Sequence, residues 1–88
     1  MSNQKRIFID VREPIEFQMG HVDGAINIPP FDLMAGAPQL ANVDKDTELI
    51  IYCKSGSRSH MAMQILSQLG FTNMINGGNA DLVKRNYL

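Results

Sequence analysis

The stretch Glu48-Leu49-Ile50-Ile51-Tyr52 runs four apolar side chains in succession with no polar residue between them. A strand with one wet face alternates, so a run without alternation buries both faces, as in the centre of a parallel sheet. Helices must then cover both sides. The rest of the chain supplies more strands and those helices. Ile7-Phe8-Ile9-Asp10-Val11 reads as a first strand, and Ala25-Ile26-Asn27-Ile28 as a second, stopped by Pro29-Pro30. Asn73-Met74-Ile75-Asn76 reads as a last short strand, with Gly77-Gly78 as a turn behind it.

Helix signals fill the gaps. Residues 13–19 carry Pro14 in a first turn and are ended by Gly20. Residues 31–40 predict a short helix and a loop, because Gly36 and Pro38 break anything longer. Ala62, Ile65, Leu66 and Leu69 recur at helical spacing and form a core-facing stripe that Gly70 closes. Residues 79–86 predict a last helix. The expected fold class is therefore α/β: an open, mostly parallel sheet of four to five short strands flanked by helices on both faces.

Size and charge narrow what such a chain can do. With 88 residues, the sequence predicts one domain over residues 1–88 with one core. A net charge of -1, with eight scattered basic residues, gives no footprint for nucleic acid or an anionic membrane. The longest apolar run, Leu49 to Cys53, is far short of a membrane span. Polar residues 1–6 hold no signal-peptide core, and the lone cysteine forms no internal disulfide, so the expected setting is the cytoplasm. A monomer is expected.

Chemistry concentrates after the central strand, in Cys53-Lys54-Ser55-Gly56-Ser57-Arg58. A loop between a strand and a helix aims backbone N–H groups at whatever occupies the sulfur, and the helix adds its positive end. Thiolate is the reactive form of cysteine, and such surroundings stabilise it. Most lone cysteines pack as small hydrophobes. Cys53 instead ends its strand and is followed only by small or cationic residues, which predicts an accessible nucleophile. Loops leaving the carboxyl ends of parallel strands form ligand sites, which puts Arg12 and Asn76 on the same edge as Cys53.

Three segments together resemble the rhodanese family. Asp10-Val11-Arg12-Glu13 with residues 20–29 is similar to its amino-terminal signature, and Cys53 to Ser59 to its active-site loop. Leu69-Gly70-Phe71 with Gly77-Gly78 is similar to its closing segment. The resemblance spans residues 7–82 and implies a rhodanese fold, a persulfide on Cys53 and sulfane-sulfur transfer. The donor would be thiosulfate or a similar compound, and the acceptor cyanide, a thiol or a sulfur-accepting protein. It departs from the family at Leu82, where a tryptophan is usual, which predicts an altered packing contact under the last helix.

Within that resemblance Cys53 is the catalytic residue, and Lys54, Ser55, Gly56, Ser57, Arg58 and Ser59 bind substrate. Arg58 is expected to fold over the loop and hold a sulfonate with paired hydrogen bonds. Lys54 is either an ammonium beside the anion or an ordinary surface lysine. Gly56 takes a conformation that a side chain hinders. Ser55 and Ser57 donate into the loop, while Ser59 is expected mainly to cap the helix. His60 is not expected to act as a base, and His21 is read as structural. Asp10 and Arg12 read as an ordering pair, and the methionines as core filling. Two isolated histidines and one cysteine predict no metal site, and no cofactor is needed.

Two rival activities remain at this stage. A sulfur carrier or protein-interaction module would form a persulfide but turn over thiosulfate slowly. A cysteine phosphatase or arsenate reductase fits less well, because its loop is longer by one residue than the four between Cys53 and Arg58.

Overall fold

The computed structural model describes residues 6–88, so the expectation that residues 1–5 hold no signal-peptide core lies outside the described residues. Four strands form one parallel sheet in the order β2-β1-β3-β4. They are β1 (Arg6–Asp10), β2 (Ile26–Asn27), β3 (Glu48–Cys53) and β4 (Met74–Asn79). The helices are α1 (Pro14–Gln18), α2 (Pro30–Met34), α3 (Ser57–Gln68) and α4 (Ala80–Tyr87), with a single 3-10 turn at Pro38–Leu40. Among these no helix is long and apolar enough to cross a membrane.

β3 is the central strand that its sequence demands. Leu49 to Tyr52 are all fully buried, and their side chains divide by parity between the two faces. Leu49, Ile51 and Cys53 join Ile9, Val11, Ala62, Leu66 and Phe71 under α2 and α3. Ile50 and Tyr52 join Val22 and Val83 on the opposite face, which α4 covers. The stripe on α3 packs as its spacing requires, with Ala62 and Leu66 buried and Ile65 and Leu69 against the same cluster.

Chain direction decides where the site falls. From β1 the chain steps to β2 on one side, then returns past β1 to β3 on the other. Strand order therefore reverses between β1 and β3, and the crevice at their carboxyl ends is the expected ligand position. Asp10 closes β1 and Cys53 closes β3 at that point.

Gly77-Gly78 is not a turn. Both residues lie inside β4, which keeps pairing with β3 beyond them, Tyr52 opposite Gly78 and Cys53 opposite Asn79. The register slips between Ile51 and Tyr52, leaving Gly77 as the extra residue of a bulge, and Gly78 supplies the positive φ of 84°. A bulge and a turn share glycine chemistry, which is why the sequence does not tell them apart. Leu82, in place of the usual tryptophan, lies half-exposed against this bulge: a Cβ on Gly78 would come within 2.9 Å of its Cδ1.

Gly77 is required for space. A Cβ there would stand 2.6 Å from Val83 Cγ2 and 3.1 Å from Ile50 Cγ2. Gly77→Ala should therefore force α4 off the sheet and cost about 1–3 kcal/mol. A thermal melt should show a fall of roughly 5 °C or more; an unchanged melting temperature would contradict this packing.

Candidate active site

Cys53 sits at the last residue of β3, and α3 begins four residues later behind Gly56 at φ 99°. That left-handed residue reverses the backbone so that its own N–H faces back to the strand. It donates to Cys53 Sγ at 2.9 Å. Burial pushes the Cys53 thiol up, while the backbone N–H groups of Ser59, Gly56 and Ser55 pull it down and leave it below its ordinary value. The amino end of α3 adds to this pull.

The sulfur is less open than its sequence setting predicts. Cys53 is 2% exposed and packs in the cluster under α3. Its opening is a hollow of about 250 Å³ lined by Arg12, Lys54, Asn79, Ala80 and Asp81. The strand end is buried because α3 starts so soon after it, so one side of the sulfur faces the core and the other the hollow.

The remaining loop residues separate into distinct roles. Ser55 and Ser57 hydroxyls lie 3.4 Å from each other. Lys54 is exposed at the rim of the hollow. Ser59 is not the helix cap: Gly56 occupies that position, and Ser59 lies fully buried inside the first turn. Its Oγ lies 2.7 Å from Asn76 Oδ1, 2.9 Å from the Gly56 carbonyl and 3.7 Å from Cys53 Sγ. His60 opens onto a separate hollow with Met63 and Met74, away from the sulfur. His21 Nδ1–H donates to the Phe17 carbonyl at 2.8 Å, and the ring stacks on the Phe17 ring.

Arg58 does not fold over the loop. Its guanidinium grips Glu16 on α1 as a fork, Nη1 to Oε1 at 2.9 Å and Nη2 to Oε2 at 3.2 Å. The fork uses two of the five guanidinium N–H donors and holds the side chain toward α1. The side chain borders an apolar groove with Leu33, Met34 and Met61 instead of the hollow over Cys53. The arginine that lines the hollow is Arg12. Its Nε and Nη2 bind the fully buried Asp10 carboxylate at 2.7–3.1 Å, and Nη2 also donates to the Gly20 carbonyl at 2.7 Å. Asn27 holds the same loop by donating to the Asp10 and Arg12 carbonyls. Tyr52, beneath Arg12, donates no charge to the site: burial pushes its phenol up to about 12, and its oxygen accepts the Val22 N–H.

The family profile described as rhodanese-like domain matches residues 1–82, the span that holds this strand-end cysteine and its loop. The chain belongs to the rhodanese-like domain family. It is 41% identical to the thiosulfate sulfurtransferase PspE of Escherichia coli, over 81% of this chain and 67% of that protein. It is 32% identical to a thiosulfate:glutathione sulfurtransferase of Saccharomyces cerevisiae, over 76% of this chain and 55% of that protein. A tRNA uridine(34) hydroxylase of Erwinia tasmaniensis is 29% identical over 97% of this chain, but the chain spans 26% of its length. Among solved structures, a rhodanese with anions from E. coli superposes with a TM-score of 0.77 at 37% identity, over 88% of this chain and 89% of that one.

Two contributors to this rhodanese-like site had no sequence signal. Glu16 lies 42 residues before Arg58 and reads as an ordinary first-turn acid. Asn76 was expected on this edge of the sheet, but nothing in the sequence ties it to Gly56 or Ser59. The Arg58 fork, together with the Glu13 N–H at 2.9 Å, holds the Glu16 carboxyl down to about 2. A lowered carboxyl stabilises the fold above its ordinary value near 4.5 and loses that contribution as pH falls through about 2. Because the pair is partly exposed, Glu16→Gln should cost only ~0.5 kcal/mol at neutral pH. Melting curves of the two chains should converge as pH falls toward 2; a constant gap would show that the pair adds nothing charge-dependent.

Proposed function

We propose that this rhodanese-like chain is a sulfurtransferase that carries sulfane sulfur as a persulfide on Cys53. The observation that carries the reading is the Gly56 N–H aimed at Sγ from 2.9 Å, in a loop whose amides lower the thiol despite its burial. The Cys53 thiolate attacks the outer sulfur of thiosulfate. The sulfur–sulfur bond breaks, and sulfite leaves with its electron pair. The terminal sulfur of the persulfide then carries the charge, and the same amides stabilise it. An acceptor nucleophile, cyanide or a thiolate, takes that sulfur and returns Cys53 as thiolate. Ping-pong kinetics follow from the covalent intermediate. The names of two relatives support thiosulfate as donor: PspE is a thiosulfate sulfurtransferase and the yeast protein a thiosulfate:glutathione sulfurtransferase.

In this reading the sulfonate of the donor enters the hollow beside Lys54 and Arg12, which Asp81 also borders and where Asp10 already pairs with Arg12. Ser55, Gly56, Ser57 and Ser59 shape the cradle, and Arg58 supports it through Glu16. The loop is one residue shorter than a phosphatase loop, which suits a single sulfur better than a tetrahedral phosphate.

One observation favours a second reading, a sulfur carrier loaded by a partner enzyme. Cys53 is only 2% exposed and its opening small, which slows exchange with free donors. Such domains also occur inside longer relatives, among them a probable adenylyltransferase/sulfurtransferase of Mycobacterium tuberculosis of which this chain spans 19%. Steady-state turnover of thiosulfate and cyanide separates the two: sustained turnover supports the enzyme, a stable persulfide without turnover the carrier.

Intact-protein mass spectrometry tests the shared step. After thiosulfate the native chain should gain the mass of one sulfur atom, and cyanide should remove it. Cys53→Ser should gain nothing. Sulfur added to the serine variant, or none to the native chain, would overturn the assignment.

A further inference from the structure

Asn76 lies outside the motifs of the family resemblance, yet its side chain is tied directly to the sulfur loop. On β4 the parity of Met74 places Asn76 on the α3 face, and the bulge at Gly77 follows immediately. Its Oδ1 accepts the Gly78 N–H at 3.0 Å, which identifies the oxygen end of the amide, since only oxygen accepts. Nδ2 is thereby turned to the Gly56 carbonyl, to which it donates at 3.1 Å.

Lone pairs decide how the cluster is wired. The Gly56 carbonyl also accepts the His60 N–H of α3 at 3.0 Å, so the helix and Asn76 fill its two positions. The single Ser59 proton then goes to Asn76 Oδ1, its nearer acceptor at 2.7 Å. Asn76 thus holds two of the three loop residues whose N–H groups act on the sulfur. Gly56 sits at φ 99° with little of its own to restrain it, since no side chain limits its rotation. An amide from the neighbouring strand supplies that restraint.

We propose that Asn76 is a positioning residue for the Cys53 thiolate: it clamps the Gly56 carbonyl and the Ser59 hydroxyl so that the Gly56 N–H stays aimed at Sγ. The inference rests on Cys53 being the reacting group. It adds that the cradle is assembled from two elements, the loop and β4, and that a β4 side chain hydrogen-bonded to the loop sets the reactivity of the sulfur. The bulge is part of the device, because Gly78 can reach Asn76 Oδ1 only where the strand bends back on itself.

The test is the pH dependence of Cys53 alkylation by iodoacetamide in the full chain, for native protein, Asn76→Ala and Asn76→Leu. Both variants are neutral, so neither adds a charge near the sulfur. In either one that folds, the alkylation midpoint should rise by about one pH unit. A lower melting temperature with an unchanged midpoint would show a merely structural asparagine and overturn the proposal. Ser59→Ala should also raise the midpoint, and the Ser59→Ala/Asn76→Leu double variant should rise by less than the sum; full additivity would overturn the shared cluster.

Should both variants fail to fold, the native chain still decides. The Asn76 Nδ2 proton resonances should move with pH at the Cys53 midpoint and lose that transition in Cys53→Ser. Resonances that do not follow the sulfur would refute the clamp. These readouts need no sulfur transfer. A chain that shows the expected midpoints but gains no sulfur from thiosulfate would sink the transfer reading and leave the clamp standing.

Discussion

A sulfur that must be charged lies where burial opposes charge. Cys53 closes a strand buried on both faces, and the core raises the cost of its thiolate. Only hydrogen bonds directed at the sulfur reverse that balance, and they come from the backbone of the next five or six residues. Every other feature of this edge of the sheet either aims those amides or keeps them aimed. Oriented dipoles in a dry setting act more strongly than in water, so the same burial that opposes the thiolate also strengthens its cradle.

A loop this short does not hold such a conformation unaided. Gly56 is free to leave its left-handed state, and the loop has few side chains of its own to pack. Three supports from distant elements surround it. Glu16 on α1 anchors Arg58, Asn76 on β4 holds Gly56 and Ser59, and the buried Asp10 fixes Arg12 at the rim of the hollow. The fork between Arg12 and Asp10 is short and sheltered, while the Arg58–Glu16 fork is partly exposed; the first is the stiffer of the two. Positive charge is therefore divided. One arginine braces the loop through Glu16, and another lines the hollow beside it.

Much of the fold was legible because hydrophobic patterning is a local record of burial. The unbroken run in β3, the stripe on α3 and the Pro and Gly punctuation around α1 and α2 each report their own surroundings. Gly77-Gly78 was misread because local chemistry is the same in a turn and a bulge; what differs is the partner strand. Ser59 was misread for a related reason, since a serine near a helix start looks like a cap until the position of Gly56 is known. That Arg58 would pair with Glu16 was hidden because the two lie 42 positions apart in the chain.

By itself the sequence determined the class of sheet, the residue at its chemical edge and the amide-rich corner that follows, because each depends on neighbours within a few positions. The family resemblance followed from motifs of the same local kind. Tertiary structure alone decided how open the sulfur is, which arginine lines the hollow beside it, and that an asparagine from another strand holds its cradle. Those are contacts between residues 15 to 42 positions apart, and no periodicity along the chain records which of them will meet.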